Sequence, residues 1–163
     1  MTPKTSTTAG GVLGAATIAT GLIAGTFYIF VFAVMPALAR GDDRTYIQVM
    51  RDIDGVITNP VFLLTFNGAL LLTAIAVWQS RGTPYLRWAW AAFLAYALNF
   101  LVTVAFNIPL NNDLHQGSDW SALREDFEDP WVAWNAVRTV FSTLALGFLA
   151  RTLVLYGRRR PSS

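Results

Sequence analysis

Four long stretches of the sequence contain almost no charged residue. An α-helix needs about 20 apolar residues to cross roughly 30 Å of hydrocarbon, and each stretch is long enough. The pattern therefore predicts four membrane-spanning helices. The stretches lie between Lys4 and Arg40, Asp54 and Arg81, Arg87 and Asp113, and Asp129 and Arg151, with Arg138 as the one internal charge.

The composition agrees with this interpretation, since 54% of the residues are hydrophobic, 13% are charged and the mean hydropathy is +0.44. The first stretch is too long and too rich in glycine for the apolar core of a cleaved signal peptide, which predicts a retained helix. We expect one domain over residues 1–163, an all-α, integral membrane four-helix bundle. Its helices should cover about 9–39, 59–80, 85–108 and 130–156.

Charge placement predicts the orientation. All ten acidic residues lie in the connections 40–58 and 109–129. The N-terminus, the connection 81–87 and the C-terminus hold seven Lys and Arg residues, against four in the acidic connections. The positive-inside rule then predicts cytoplasmic termini and extracytoplasmic acidic connections, in the cell membrane. A net charge of +2 and a basic C-terminus favour membrane lipid as a partner and not nucleic acid.

Proline pairs predict the helix boundaries. Asn59-Pro60 and Asp129-Pro130 are typical of an N-cap followed by the first helical residue, and Met35-Pro36 and Ile108-Pro109 favour helix ends. We expect a mostly irregular connection over 109–129.

The connection 40–58 carries apolar residues at helical spacing. This predicts a short amphipathic helix across the outer end of the bundle, either a lid or a surface helix that closes the helix ends. The apolar positions are Tyr46, Ile47, Met50, Ile53 and Ile57.

Four glycines in the first stretch have small-xxx-small spacing, which permits another helix to approach closely. The partner helix could belong to the same chain or to a second copy in a homo-oligomer. They are Gly10, Gly14, Gly21 and Gly25.

Several polar residues are predicted inside the membrane, at roughly 10 Å from the outer boundary by helical rise. Because Arg and Asn are rarely exposed to lipid, we expect them to point into the bundle and to line a pocket in its outer half. The predicted lining is Tyr28, Asn67, Asn99, Thr103, Asn135 and Arg138, with Phe and Trp walls.

Structural interpretations of the same residues remain open. Arg138 could snorkel outward to the acidic residues at 126, 128 and 129, the asparagines could join helices through hydrogen bonds, and Trp131 and Trp134 could be interface anchors. Together, however, a cation and several amides at one depth favour a site for an anionic, planar ligand.

Residue counts exclude several chemistries. One histidine, His115, is too few for a haem with two axial histidines, and no cysteine is present for thiol chemistry. No carboxylate lies inside the four spans, which disfavours proton-coupled transport. His115 and its acidic neighbours match no metal-ligand spacing, so no metal site is predicted.

Two segments, NIPLNNDL and WVAWNAVRT, carry a resemblance to the anthrone oxygenase family of small four-helix membrane proteins. That family shows N-x-P-L-N after its third helix and W-x-x-W-N-x-x-R at the start of its fourth. MPAL in the first helix is also similar, so the resemblance extends from about Gly14 to Leu155. The implied functional residues are Asn107, Pro109, Leu110 and Asn111, and Trp131, Trp134, Asn135 and Arg138.

The resemblance implies a cofactor-independent oxygenase that converts a flat phenolic or anthrone-type aromatic to a quinone with O2 as co-substrate, without a metal. Arg138 would stabilise the developing oxyanion, Asn135, Asn107 or Asn111 would donate hydrogen bonds, and the tryptophans would hold the rings. His115 and Asp113 are the candidate general bases. The alternative is a non-enzymatic membrane protein that binds a lipid or an isoprenoid, or an accessory subunit of a membrane complex.

Overall fold

Helical structure runs through almost all of residues 7–158, the part of the chain that the computed structural model describes. Lys4, Arg159 and Arg160, used above for the orientation, lie outside these residues. In chain order the elements are α1 (Thr7–Ile29), a π-helical segment π1 (Phe30–Val34), α2 (Met35–Leu38), α3 (Asp43–Ile57), α4 (Pro60–Gln79), α5 (Leu86–Val102), a second π-helical segment π2 (Thr103–Asn107), α6 (Ile108–Asp113) and α7 (Trp120–Gly157).

Four of the helices are long and apolar enough to cross a membrane, because π1 and π2 join neighbouring elements into continuous spans. The all-α fold with four long apolar helices is therefore confirmed. The candidate spans are Thr8–Leu38, Pro60–Gln79, Leu86–Asp113 and Trp120–Gly157.

Each of the four helices packs on two neighbours, α1 on α4 and α7, and α5 on α4 and α7. The first turns of α1 lie beside the last turns of α7, where a Cβ at Gly10 would meet the Tyr156 ring. Tyr85, before α5, packs edge-on against the same ring. Both ends of the described chain thus lie at one end of the bundle. The side of the membrane that this end faces stays a prediction.

The opposite end is covered by α3, and we call it the α3 end. Asp42 caps this helix, and the hydrogen bond from the Thr45 backbone N–H lowers the pKa of its carboxyl. Tyr46, Ile47 and Met50 are buried against the bundle, which confirms the predicted amphipathic helix.

The third span does not end at Pro109 as the sequence predicts, whereas the first ends at Leu38, two residues beyond Pro36 and close to the expected bound at 39. In π1 the N–H of Met35 bonds to the Phe30 carbonyl five residues back, and in π2 the N–H of Ile108 bonds to the Thr103 carbonyl. The wider turn ahead of each proline accommodates a residue that has no N–H and whose ring crowds the preceding turn. The chain can therefore continue to Leu38 and Asp113.

The predicted start of the last helix at Pro130 is also wrong. Asp119 is the N-cap and accepts hydrogen bonds from the Ser121 and Ala122 N–H groups, so α7 begins ten residues earlier. Pro130 lies inside the helix, where it removes one backbone hydrogen bond without ending it. The connection 109–129, expected to be loop-like apart from a helical turn over 118–127, is therefore helical except at 114–119. By contrast, Asn59 caps α4 as predicted.

Two of the four α1 glycines that have small-xxx-small spacing face α7 of the same chain. A Cβ would meet Tyr156 at 3.0 Å from Gly10 and Leu146 at 3.6 Å from Gly21. At Gly14 and Gly25 a Cβ would have no neighbouring atom within 4 Å. Part of the small-residue spacing therefore serves packing within the chain, and the homo-oligomer stays a prediction.

Candidate functional site

A cavity opens between the helices at the α3 end. Its volume is about 120 Å³, and it is open to the surroundings at its mouth. Its wall is mostly aromatic and aliphatic, with polar groups from α3, α6 and α7. It is lined by Thr26, Phe27, Phe30, Met50, Ile53, Asp54, Ile57, Thr58, Phe62, Leu63, Phe66, Thr103, Ile108, Asn111, Trp131, Asn135 and Arg138.

Arg138 supplies a buried positive charge to this cavity. It is 6% exposed, and its guanidinium lies 4.2 Å from the Phe27 ring centre and 5.4 Å from that of Trp131. Within residues 7–158 the ion pairs join His115 to Asp54 and Arg124 to two carboxylates, and none includes Arg138. The alternative in which Arg138 snorkels out to the acidic residues near the start of α7 is therefore not what the structure shows.

One hydrogen bond fixes the Arg138 guanidinium. An Nη atom donates to Asn135 Oδ1 at 2.9 Å, and Nε is buried without a partner. Asn135 is itself fully buried, and its Nδ2 reaches the Phe27 carbonyl at 3.3 Å. An arginine has five N–H donors, so this arrangement leaves donor capacity at a cavity wall.

A second set of polar side chains lies on the α3 and α6 sides of the same cavity. Asn111 Nδ2 donates to Asp54 Oδ1 at 2.7 Å, and the His115 ring nitrogen Nε2 lies 3.1 Å from Asp54 Oδ2. Trp131 Nε1 donates to Asn111 Oδ1 at 2.7 Å. Four side chains from three elements and the adjoining loop thus form one connected network, in which Asp54 is the carboxylate that lines the cavity.

Five of the predicted site residues meet at this cavity. Trp131, Asn135 and Arg138 share one face of α7, as their spacing predicts. Thr103 and Asn111 come from π2 and α6 on the adjacent span. All five line the cavity.

Six of the predicted site residues do not line it, and three of these lie on exposed or partly exposed helix faces. Tyr28 is 54% exposed because it lies on the outward face of α1, where its ring packs against Phe32. Asn67 is exposed on α4 and donates to the Leu63 carbonyl of its own helix. Trp134 is half-buried and stacks on Phe106, with ring centres 3.7 Å apart. The helical rise predicts how deep a residue lies in the membrane. It does not predict whether the side chain points into the bundle, because that depends on which face of the helix is buried.

Asn99 and Asn107 are fully buried at the α5 and π2 sides of the bundle, outside the cavity lining. Both side-chain polar atoms of each lack a protein partner. Thr103, between them, donates to the Asn99 carbonyl and lines the cavity. A buried amide without a hydrogen-bond partner is costly, so packing alone does not explain why Asn residues occupy these two positions. Their contact with a substrate stays a prediction.

Asp54, the carboxylate that lines the cavity, was not singled out from the sequence. His115, the predicted base, is exposed and turned toward Asp54, and Asp113 is exposed outside the cavity lining. The signal was present, because Asp54 follows Met50 by four residues and precedes Ile57 by three. It therefore shares the apolar face of an amphipathic helix, an unusual position for a carboxylate.

The α3 helix is fastened to the bundle by two arginines. Arg124 pairs with Asp43 and Glu128 and donates to the carbonyls of Ala39 and Gly41. These contacts secure the start of α3, and the structure shows it as a fixed cover of the helix ends.

Arg51, in the middle of α3, donates to the carbonyls of Leu114 and Gly117 and lies over the Trp120 ring. The loop 114–119, which carries His115, is thereby held against α3. Among residues 7–158 no group of three or more His, Cys, Asp or Glu side chains is placed to hold a metal ion.

Comparison with known families gives one match. The sequence model of the family described as anthrone oxygenase matches residues 55–148, which is more than half of the chain. The matched region contains Asn111, Trp131, Asn135 and Arg138 and begins immediately after Asp54. Searches of the curated proteins and of the solved structures give no match.

Proposed function

Because the chain belongs to the anthrone oxygenase family, we propose that it oxidises a flat phenolic ketone of the anthrone type to a quinone with O2. The observation that carries the proposal is Arg138, a buried cation without a carboxylate partner at the wall of a largely apolar cavity. Such a group is costly inside a bundle unless something anionic is held beside it.

The chemistry needs an anion at that position. An anthrone has a CH2 group acidified by the carbonyl across its central ring, and loss of one proton gives an electron-rich enolate. Arg138 would stabilise the enolate oxygen in a largely apolar site, where a fixed charge acts more strongly than in solution. Asn135 holds the guanidinium, which lies 4.2 Å from the Phe27 ring centre and 5.4 Å from that of Trp131.

The oxidation then proceeds from the enolate. One electron passes to O2, and the resulting carbon radical and superoxide combine to form a C–O bond. The peroxide takes up a proton, and loss of water breaks the O–O bond and the remaining C–H bond to leave the second carbonyl. Overall one CH2 and one O2 become one C=O and one H2O, and the proposal requires no metal or organic cofactor.

The shape of the cavity supports a planar substrate. Phe62 and Phe66 lie nearly parallel with ring centres 6.1 Å apart, and Phe66 stacks on Phe100 at 5.2 Å. Aromatic walls of this kind favour offset contacts with fused rings.

The test is oxygen uptake by detergent-purified protein supplied with several anthrones. We expect uptake above the autoxidation seen without protein, and its loss in Arg138→Ala. Arg151→Ala is the matched control, because Arg151 is an exposed arginine on the same helix whose guanidinium lies near Trp88, toward the other end of the bundle. Equal uptake by the wild type and Arg138→Ala contradicts the proposal. No uptake by the wild type, together with copurified lipid or isoprenoid, would favour the non-enzymatic alternative.

A further inference from the structure

Asp54 faces the same cavity as Arg138 but forms no ion pair with it. Building on the proposed oxidation, we propose that Asp54 is the general base that removes the CH2 proton of the substrate. Its orientation is set by Asn111 and His115. The cavity would then contain the two groups that the first step requires, a base for the proton and a cation for the oxyanion.

The carboxylate is held by donors on both oxygens. Trp131 can only donate through its indole N–H, so the Asn111 atom that faces it must be the oxygen. The Asn111 NH2 group is therefore the one that faces Asp54, which fixes the otherwise ambiguous amide orientation. Since Trp131 also lies over Arg138, the base and the cation are positioned by one shared side chain.

Asp54 and His115 differ in their access to the cavity. Asp54 lines it, with its side chain 20% exposed, whereas His115 is outside the lining with its side chain 47% exposed. The His115 nitrogen near the carboxylate is directed at Asp54 Oδ2. A base must reach the proton that it removes, so the geometry favours Asp54 as the base and His115 as a positioning residue.

Asp54 and Arg138 line one cavity without pairing with each other, as a substrate requires whose acidic CH and carbonyl occupy separate positions. In an anthrone the acidic CH2 and the carbonyl occupy opposite positions of the central ring. When Asp54 takes the proton, a C–H bond breaks, an O–H bond forms on the carboxylate, and the electron pair moves through the ring to the oxygen beside Arg138.

The experiment measures proton removal without oxygen. Purified wild type, Asp54→Asn and Asp52→Asn are incubated with an anthrone in D2O under argon, and deuterium entry at the CH2 is followed by NMR against a no-protein control. Asp54→Asn keeps the size of the side chain and its ability to accept a hydrogen bond. Asp52 is the matched control, an exposed carboxylate two residues away on α3.

We expect Asp54→Asn to slow protein-dependent exchange by about 100-fold or more, the lower range for general-base catalysis, and Asp52→Asn to match the wild type. Unchanged exchange in Asp54→Asn overturns the proposal, even if oxygen uptake by the wild type supports the oxidation. Exchange that requires Asp54, in a protein that consumes no O2, supports the base and contradicts the oxidation. No exchange by the wild type contradicts the base.

His115 variants test the positioning role and remain informative if Asp54→Asn folds poorly. His115→Ala should lower kcat for exchange with little change in KM, because it releases one carboxylate oxygen without altering the cavity wall. His115→Gln restores an N–H donor and should recover most of the rate. Wild-type kcat in His115→Ala would contradict the proposed orientation of Asp54.

Discussion

Replacing Arg138 by methionine should abolish activity without lowering the stability of the protein. The substitution keeps a long side chain but removes the charge. A charged side chain at the centre of a membrane helix costs about 2.5–3.5 kcal/mol on insertion scales, and the methionine would avoid that cost. At this position ligand binding requires the positive charge, whereas placing that charge inside the membrane is costly.

The contacts of Arg138 offset this cost. Its hydrogen bond to Asn135 contributes about 1.5–3 kcal/mol for a charged donor. The Phe27 and Trp131 rings add about 1 kcal/mol each through cation–π contact. The two sides balance to within about 1–2 kcal/mol, so Arg138→Met should change the free energy of unfolding by no more than that.

Arg124→Met is the matched comparison, because Arg124 is a second arginine of α7 with a full set of partners. It pairs with Asp43 and Glu128, donates to two backbone carbonyls and lies over the Tyr46 ring. Removing one member of such a network should cost about 2 kcal/mol, after allowance for its partly exposed partners.

The assay is reversible unfolding in mixed micelles, followed by far-ultraviolet circular dichroism, together with oxygen uptake by the same samples. Near-wild-type stability and lost uptake in Arg138→Met support a ligand site. A stability loss of about 3 kcal/mol or more would refute the reasoning, since it would make Arg138 a structural residue.

Three further outcomes follow from the geometry. Trp131→Phe keeps a ring near the guanidinium but removes the hydrogen bond from the indole N–H to Asn111. Turnover should fall by roughly five-fold, as expected for the loss of about 1 kcal/mol, and unchanged turnover would contradict the network. Ile57→Trp should fill part of the cavity and raise KM for an anthrone in steady-state uptake, with unfolding unchanged, and an unchanged KM would place the substrate elsewhere. Gly14→Ala should raise the free energy of unfolding by about 0.5–1 kcal/mol in chemical unfolding. Gly10→Ala should raise it by less, because the added Cβ meets Tyr156, and equal increases would argue against that contact.

The number of the spans could be predicted from the sequence because uncharged length is a direct requirement of hydrocarbon. The amphipathic α3 and the cap at Asn59 could be predicted because each rests on local rules. The helix end at Pro109 and the helix start at Pro130 are wrong, since proline disfavours a continuing helix only locally, and a wide turn or surrounding packing can offset the lost hydrogen bond.

Which residues share one cavity wall could be predicted within one helix but not between helices. Spacing along α7 brings Trp131, Asn135 and Arg138 to one wall. Tyr28 was predicted to face the bundle interior, but it lies on the outward face of its helix. The link between Asp54 and Asn111 joins residues 57 apart in the chain, and periodicity alone gives no information about such pairs.

The most direct test of the account is whether the cavity stabilises an anion. An anthrone is mixed with purified protein under argon, and its visible absorption distinguishes the ketone from the enolate. The account predicts a long-wavelength enolate band with the wild type and none with Arg138→Met at the same substrate occupancy. A bound ketone without that band in the wild type, or an equal band in both proteins, would contradict it.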